Sequence, residues 1–314
     1  MKIVFWGSDD FAAIHLEQLL ALGHEVLCCV TGPDKPQGRG MKLGLSPIKK
    51  IALDRDIDCL QPVTLKSAEI VLKLRAIEAD VFVVVAYGRL LTREILDIPK
   101  IFCVNVHPSL LPKYRGAAPI NWAILNGERE TGVTVQKMAL ALDAGDVLAQ
   151  SMLNIKDDEN AAQLRERMAH AGARLLGSVL EQCASGKHSL KFQDEALVTY
   201  ASKLTREMGR IDWEKPALSI FNQVRGLVPW PGAYSFYNGK MLKIIQVQRT
   251  TQDSFKCPAG QVMAVDKNGF VVATGDSGLL IKEVQPENGR VMSASSFIAG
   301  YRIVPGYQFL SSKK

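Results

Sequence analysis

Six consecutive residues, Val81-Phe82-Val83-Val84-Val85-Ala86, carry no polar side chain. Side chains of a strand alternate between its two faces, so this run needs apolar cover on both sides. A parallel sheet with helices packed on each face supplies that cover. The flanking pattern agrees. Residues 3–5 read as a short strand ending at Gly7, and residues 10–22 place Ile14, Leu16, Leu19, Leu20 and Leu22 at helical spacing, with Gly23 where a helix would stop. Residues 26–30 and 101–106 read as further strands, and residues 47–53 and 67–77 as helices. This alternation predicts an α/β fold with a doubly wound, mainly parallel, Rossmann-like sheet. The first turn, Gly7-Ser8-Asp9-Asp10-Phe11, is not G-x-G-x-x-G, which removes the main support for a dinucleotide site, and the chain offers no phosphate-cradling P-loop.

The second half reads differently. Residues 161–183 form a long helical pattern, which breaks over 184–205, where Ser185, Gly186 and Lys187 suggest an exposed linker. After a short helix at 216–224 come strand candidates at 233–238, 241–249, 260–265, 269–274 and 278–284, separated by Asn238-Gly239, Asn268-Gly269 and Asp276-Ser277-Gly278. Five short strands of this kind fit a small C-terminal β-barrel, OB-fold-like. The expected organisation is a domain over 1–188, a linker over 189–205 and a second domain over 206–314. Residues 1–188 carry 22 Lys and Arg against 22 Asp and Glu, whereas 189–314 carry 16 against 10, so the formal charge of +6 lies in the C-terminal part. A basic appendage on a neutral domain points to a polyanionic partner.

A content of 47% hydrophobic and 22% charged residues excludes disordered, collagenous and coiled-coil classes. No run approaches the length of an apolar membrane span, and the N-terminus lacks the apolar segment of a signal peptide, so the expectation is a cytoplasmic protein with no membrane partner. Cys28, Cys29, Cys59, Cys103, Cys183 and Cys257 form no C-x-x-C pair and are expected as free thiols, not a metal site.

The segment richest in chemistry is Asn105-Val106-His107-Pro108-Ser109-Leu110-Leu111-Pro112-Lys113-Tyr114-Arg115-Gly116-Ala117-Ala118-Pro119-Ile120. Asn105 and His107 are two apart on a strand and project to one face, with Val104 and Val106 on the other. In an open α/β sheet the carboxyl ends of the strands border the ligand crevice. An amide donor beside an imidazole there suits a developing oxyanion. A strand-end His also has a purely structural reading, which the polar Asn in an apolar strand weakens. Residues 133–138 alternate like an edge or half-exposed strand and lead to Ala141-Leu142-Asp143-Ala144-Gly145-Asp146-Val147. Either acid of that turn suits a base, a His partner or plain turn formation, and spacing does not choose between them.

The block from Asn105 to Ile120 followed by Leu142-Asp143-Ala144-Gly145 resembles the folate-dependent formyltransferase family, and the resemblance runs along nearly the whole chain. Phe5-Trp6-Gly7-Ser8-Asp9-Asp10-Phe11-Ala12 is similar to the family's opening strand and turn, with Trp6 bulkier than the small residue expected there. Gly209-Arg210-Ile211-Asp212-Trp213, Pro229-Trp230-Pro231 and Ala273-Thr274-Gly275-Asp276 resemble its C-terminal domain. The resemblance implies a catalytic set of Asn105, His107 and Asp143, and a folate motif of Ser109, Leu110, Leu111 and Pro112, with backbone near Tyr87-Gly88 reading the pterin edge. It implies 10-formyl-tetrahydrofolate as formyl donor, no metal, and the α-amine of methionine on initiator methionyl-tRNA as acceptor, handled by a monomer. A sugar-nucleotide amine as acceptor and water, in a 10-formyl-tetrahydrofolate hydrolase, are the alternatives. Asn105 would donate to the oxyanion, and His107 as imidazolium would stabilise it. Asp143 would favour that charged form and pass on the amine's proton. Segment 33–50, with Lys35, Arg39, Lys42, Lys49 and Lys50 against the single acid Asp34, resembles a loop that meets tRNA, with Arg39 and Lys42 as contacts. Arg115 and Lys113 are further candidates for a phosphate. His15, His24, His170 and His188 read as structural or solvated.

Overall fold

The computed structural model of the chain describes residues 1–37, 42–253 and 257–309. In chain order its elements are β1 (Lys2–Gly7), α1 (Asp10–Ala21), β2 (Glu25–Val30), β3 (Lys35–Gln37), β4 (Lys42–Gly44), α2 (Pro47–Asp54), β5 (Asp58–Leu60), α3 (Ala68–Ala76), β6 (Val81–Val85), α4 (Arg93–Leu96), β7 (Phe102–His107), β8 (Arg115–Gly116), α5 (Pro119–Leu125), β9 (Glu130–Lys137), β10 (Val147–Asn154), α6 (Ala161–Ala184), β11 (Tyr200–Ala201), α7 (Ala217–Gly226), β12 (Ala233–Tyr237), β13 (Lys240–Asp253), β14 (Val262–Asp266), β15 (Gly269–Ala273), β16 (Ser277–Pro286), β17 (Met292–Ser293) and α8 (Ala294–Tyr301). They gather into two compact units. One contains Met1–Pro119, Glu130–Asn154 and Arg165–Ala201, and the other contains Ile120–Arg129, Ile155–Leu164 and the chain from Ser202 on.

The first unit is built on a sheet of order β10-β9-β7-β6-β1-β2-β5. Strands β7, β6, β1, β2 and β5 run parallel, and β9 and β10 are antiparallel. The apolar run is β6, at the middle of the sheet with all five residues buried. Ile3, Val4, Phe5 and Trp6 of the adjacent β1 are likewise fully buried, as strands covered on both faces must be. Trp6 is absorbed by Phe82 and Tyr87, with ring centroids at 5.8 and 5.2 Å. Asp9, Ser46, Ser67 and Thr92 cap α1, α2, α3 and α4 by accepting from backbone amides, which satisfies donors that a helix start leaves open. Helix α6 lies against the sheet at Gly172, where an added Cβ would come within 3.1 Å of Val106 and Val133 and 2.7 Å of His15 Nε2. Val106 and Val133 thus face the helix, and Asn105, His107, Thr134 and Gln136 face the other way.

Two expectations are corrected here. Strand β9 is not an edge or half-exposed strand. It pairs with β7 on one side and β10 on the other, and its residues from Thr131 to Gln136 are buried. Its polar alternation reflects internal hydrogen bonding, and the edge belongs to β10. The described part of segment 33–50 is not mostly loop either: β3 and β4 pair antiparallel with Gln37 opposite Lys42, and α2 follows, while residues 38–41 lie outside the described residues. Lys49 is held by Asp34 at 2.6 Å and by Gln61, so it is not a free cation. Arg39 lies outside the described residues. The cysteines are free thiols, and burial pushes the Cys28 thiol up to about 12. Among the described residues no helix is long and apolar enough to cross a membrane.

The second unit carries an antiparallel sheet of order β12-β13-β16-β15-β14 with β17 on β16. Register shifts along β13 at Ile244/Gln246, Gln246/Val247 and Arg249/Asp253 curl it into a small barrel-like shape. Its core holds Trp213, Phe270, Phe297 and Phe309, with the Trp213 indole donating to Ser235 Oγ at 3.1 Å. Segments 120–129 and 155–164 are tied in by Asn121 to the Gly226 carbonyl and by Arg225 to the carbonyls of Lys156 and Glu159.

His15 sits wholly inside the first unit. Its Nδ1–H donates to the Phe11 carbonyl at 2.7 Å, Nε2 is buried without a partner, and burial pushes the imidazole down to about 4. The unfolded chain binds this proton near its ordinary value of about 6.5. Stability is therefore complete above that pH, falls as pH drops from 6.5 toward 4, and loses no more below it. The total is on the order of 3 kcal/mol. Urea unfolding of His15→Leu from pH 7.5 to 4 should show a shallower slope than the parent. Equal slopes would mean that His15 is protonated in the folded state.

Candidate active site

The polar residues on the inner pair of antiparallel strands form a tile inside an otherwise apolar sheet. Asn105 pairs with Gln136 and His107 with Thr134 across β7 and β9, all four on the face opposite α6. Parallel pairing places Gly7, Val85 and the end of β7 side by side, so the tile lies at the carboxyl ends of the parallel strands. His107 is 4% exposed. Asn105 is half-buried and its amide has no hydrogen-bond partner among the described residues.

His107 is held from both sides. Nε2 lies 2.9 Å from the Tyr114 carbonyl, which accepts only if that nitrogen carries the proton. Nδ1 lies 3.5 Å from Asp143 Oδ1. A second proton on Nδ1 would make the ring cationic and this contact an ion pair. Asp143 is the acid brought to the imidazole. Asp146 contributes its carbonyl to Lys137 N and continues into β10. Of the two acids that spacing left open, Asp143 is the one that lies against the imidazole.

The turn carrying Asp143 is clamped. Asp143 has φ 52°, and Tyr114, whose carbonyl holds His107, has φ 61°. Such left-handed backbone in non-glycine residues costs about 1 kcal/mol or more and persists only where its surroundings enforce it. Asp143 Oδ2 accepts from Gly116 N at 2.9 Å, and Oδ1 from Gln136 Nε2 at 3.3 Å. The other end of the Gln136 amide accepts from Gly145 N at 3.2 Å. A Cβ on Gly145 would run into the Lys137 carbonyl, so only glycine fits there. From the other side, Gln193 Nε2 donates to the carbonyls of both Asp143 and Gly145 at 2.7 Å. Gln193 Oε1 in turn accepts from Arg115 at 2.9 and 3.0 Å, and Arg115 also pairs with Glu195 at 2.8 Å. Tyr114 N donates to Thr199 Oγ1, and β8 pairs with β11, so residues 193–201 brace both sides of the His107–Asp143 contact.

Ser109-Leu110-Leu111-Pro112 forms the turn after β7. Ser109 Oγ donates to the Lys113 carbonyl, Thr134 Oγ1 donates to the Ser109 carbonyl, and Leu111 N donates to Thr134 Oγ1, at 2.6, 2.7 and 3.1 Å. Gln150 Nε2 closes it on the Leu111 carbonyl at 2.8 Å. Ser109 and Leu111 are buried, and Leu110 and Pro112 remain half-exposed. Arg115, expected as a phosphate contact, is 3% exposed with its guanidinium engaged internally. Of the tRNA candidates, Lys42 begins β4 and Arg39 is outside the described residues. Among the described residues no group of three or more His, Cys, Asp or Glu is arranged to hold a metal. The sequence reading missed Gln136, Gln193 and Tyr114. The alternation of Thr134 and Gln136 with Val133 and Val135 on β9 was a signal for the first, whereas Gln193 lies 50 residues from its partner Asp143 and left none.

The profile of the Formyl transferase family matches residues 1–180, and that of the Formyl transferase C-terminal domain matches residues 203–302. A methionyl-tRNA formyltransferase of Moorella thermoacetica is 47% identical over 306 residues, covering 98% of each chain. One from Caldanaerobacter subterraneus is 44% identical over 307 residues, covering 98% of this chain and 99% of its own. Among solved structures, an N-formyltransferase from Helicobacter canadensis in complex with folinic acid and dTDP-3-aminofucose superposes with a TM-score of 0.69 over 91% of this chain and 100% of its own, at 20% identity, a likeness of fold.

Replacing Gln193 with Leu strands two carbonyls and the Arg115 fork. The expected cost is about 1–3 kcal/mol in urea unfolding, together with faster hydrogen exchange at the Gly116 amide, which donates to Asp143. Unchanged exchange would show that the turn holds itself.

Proposed function

Because this chain belongs to the formyl transferase family, we propose that it moves the formyl group of 10-formyl-tetrahydrofolate to the α-amine of methionine on initiator methionyl-tRNA. The near full-length relatives of that activity support the acceptor. The single observation that carries the chemistry is the His107–Asp143 contact beside the free amide of Asn105, on one face at the carboxyl ends of the sheet. The reaction is an attack of a neutral amine on the formyl carbon, which gives a negatively charged tetrahedral centre. Asn105 donates its unengaged amide to that oxygen. His107 supplies positive charge next to it, and because Nε2 is committed to the Tyr114 carbonyl, Nδ1 is the atom that gains or gives a proton. Asp143, facing Nδ1, takes the proton that the amine loses as its nitrogen bonds to the formyl carbon; His107 Nδ1 gives its proton to the folate nitrogen as the formyl C–N bond breaks and the carbonyl re-forms, and Asp143 hands the amine's proton back to Nδ1. Burial of both groups strengthens their interaction over what water would allow.

Ser109, Leu110, Leu111 and Pro112 form the wall against which the folate lies, with the half-exposed Leu110 and Pro112 as its surface. The basic segment 33–50, through Arg39 and Lys42, and residues 206–314 meet the tRNA. The enzyme works as a monomer in the cytoplasm, where initiator tRNA is used. Supplying labelled 10-formyl-tetrahydrofolate with charged initiator tRNA, a sugar-nucleotide amine or water alone tests the reading. Label on the methionyl ester supports it, and label on the sugar amine or in free formate alone refutes it.

Asp143→Asn and His107→Ala should each lower kcat by roughly 10²- to 10⁴-fold, with folate affinity little changed and Asp146→Asn far milder. A damaging Asp146→Asn beside a harmless Asp143→Asn would reassign the base. Raising salt from about 50 to 200 mM should raise the KM for charged tRNA steeply, through counterion release at several phosphate contacts, and leave the KM for the folate nearly constant. A salt-independent tRNA KM would remove the phosphate contacts from the account.

A further inference from the structure

The second unit holds an open pocket of about 280 Å³ that the chemistry above does not use. It is lined by Arg206, Trp230, Pro231, Tyr234, Met241 and Lys243. Trp230 is 56% exposed, whereas Trp6 and Trp213 are buried at 0% and 2%. An indole left in water on the protein surface is an apolar face without a partner. Tyr234 on β12 lies directly opposite Lys243 on β13, so phenol and ammonium leave the same face of the sheet. The Lys243 side chain rises beside Gly232, next to the Trp230-Pro231 turn, with Nζ 3.8 Å from where a Cβ would stand. No acid lines the pocket, and neither Arg206 nor Lys243 has an ion pair among the described residues.

Two aromatic side chains and two cations, with no acid among the lining residues, select a flat ring that carries negative charge. An aliphatic segment has no use for the cations, and an acidic peptide has no use for the two rings. The pocket is about the size of one nucleotide. We propose that it receives a single unpaired nucleotide of the tRNA substrate, its base stacked on Trp230 and Tyr234 and its phosphate between Arg206 and Lys243. This inference rests on the reading of tRNA as the acceptor.

The test uses the full-length protein. Stacking on an aromatic ring is typically worth enough to change affinity roughly 5- to 100-fold. Trp230→Ala is expected to raise the KM for charged initiator tRNA by that factor while kcat at saturating tRNA and the KM for the folate hold. Trp230→Phe should retain most of the affinity, and Lys243→Ala should raise the same KM and flatten its salt dependence. Adding tRNA should quench the tryptophan fluorescence of the parent, and that quench should vanish in Trp230→Phe. Adenosine and guanosine 5′-monophosphates and inorganic phosphate are added in parallel. If mononucleotides quench Trp230 while the tRNA KM of Trp230→Ala is unchanged, the pocket serves free nucleotides and the tRNA proposal is overturned. Parental KM values in Trp230→Ala and Lys243→Ala with no Trp230-dependent quench also overturn it. Absence of formyl transfer to tRNA by the parent protein would instead overturn the acceptor reading, and the quench would still decide whether the pocket binds a nucleotide.

Discussion

The first unit depends on how one carboxylate is held against one imidazole away from water. Asp143 and His107 are both nearly buried, and they come to each other from distant parts of the chain. A buried charge is tolerable only when its lone pairs and protons find partners. Asp143 finds them in Gly116 N and Gln136, and His107 finds one in the Tyr114 carbonyl. Each of those partners is in turn fixed by another group. Gln136 spans the Asp143 turn, Gln193 grips its carbonyls, and Thr199 holds Tyr114. The left-handed backbone at Asp143 and Tyr114 is the conformational cost of aiming the two groups at one another, and the amide clamps offset it.

The sheet explains why this can exist at all. Strands β7 and β9 devote one face to α6 through Val106 and Val133, which keeps the unit folded, and the other to polar side chains, which would be ruinous in an isolated apolar layer. Thr134 is the hinge of that division: it is fully buried, yet it donates to the Ser109 carbonyl and accepts from Leu111 N and Gln150, so it builds the turn that leads to Tyr114. The same strand pairing therefore supports both the fold and the proposed formyl transfer.

Part of this was legible in the chain and part was not, for reasons that differ by residue. The central strand was readable because a run of β-branched residues has few homes. That Asn105 and His107 share one face of β7 was readable because side chains alternate along a strand. Residues 133–138 misled because buried hydrogen-bonding partners and solvent produce the same alternation, and only the strand pairing separates them. The choice of Asp143 over Asp146 depends on the path of a tight turn and its Gly145 contact with Lys137, which local spacing does not encode. Gln193 and Glu195 read as linker because their partners lie far off along the chain. The pairing of β3 and β4 was hidden by glycines and prolines that mark a loop as readily as a turn.

The central claim is that His107 and Asp143 act as one unit. A double-mutant cycle on kcat/KM, comparing His107→Ala, Asp143→Asn and the pair with the parent, measures this directly. If the two groups work through each other, the double variant is about as slow as the worse single one. If the losses multiply, each group acts on its own, and the account of a coupled, clamped pair is contradicted.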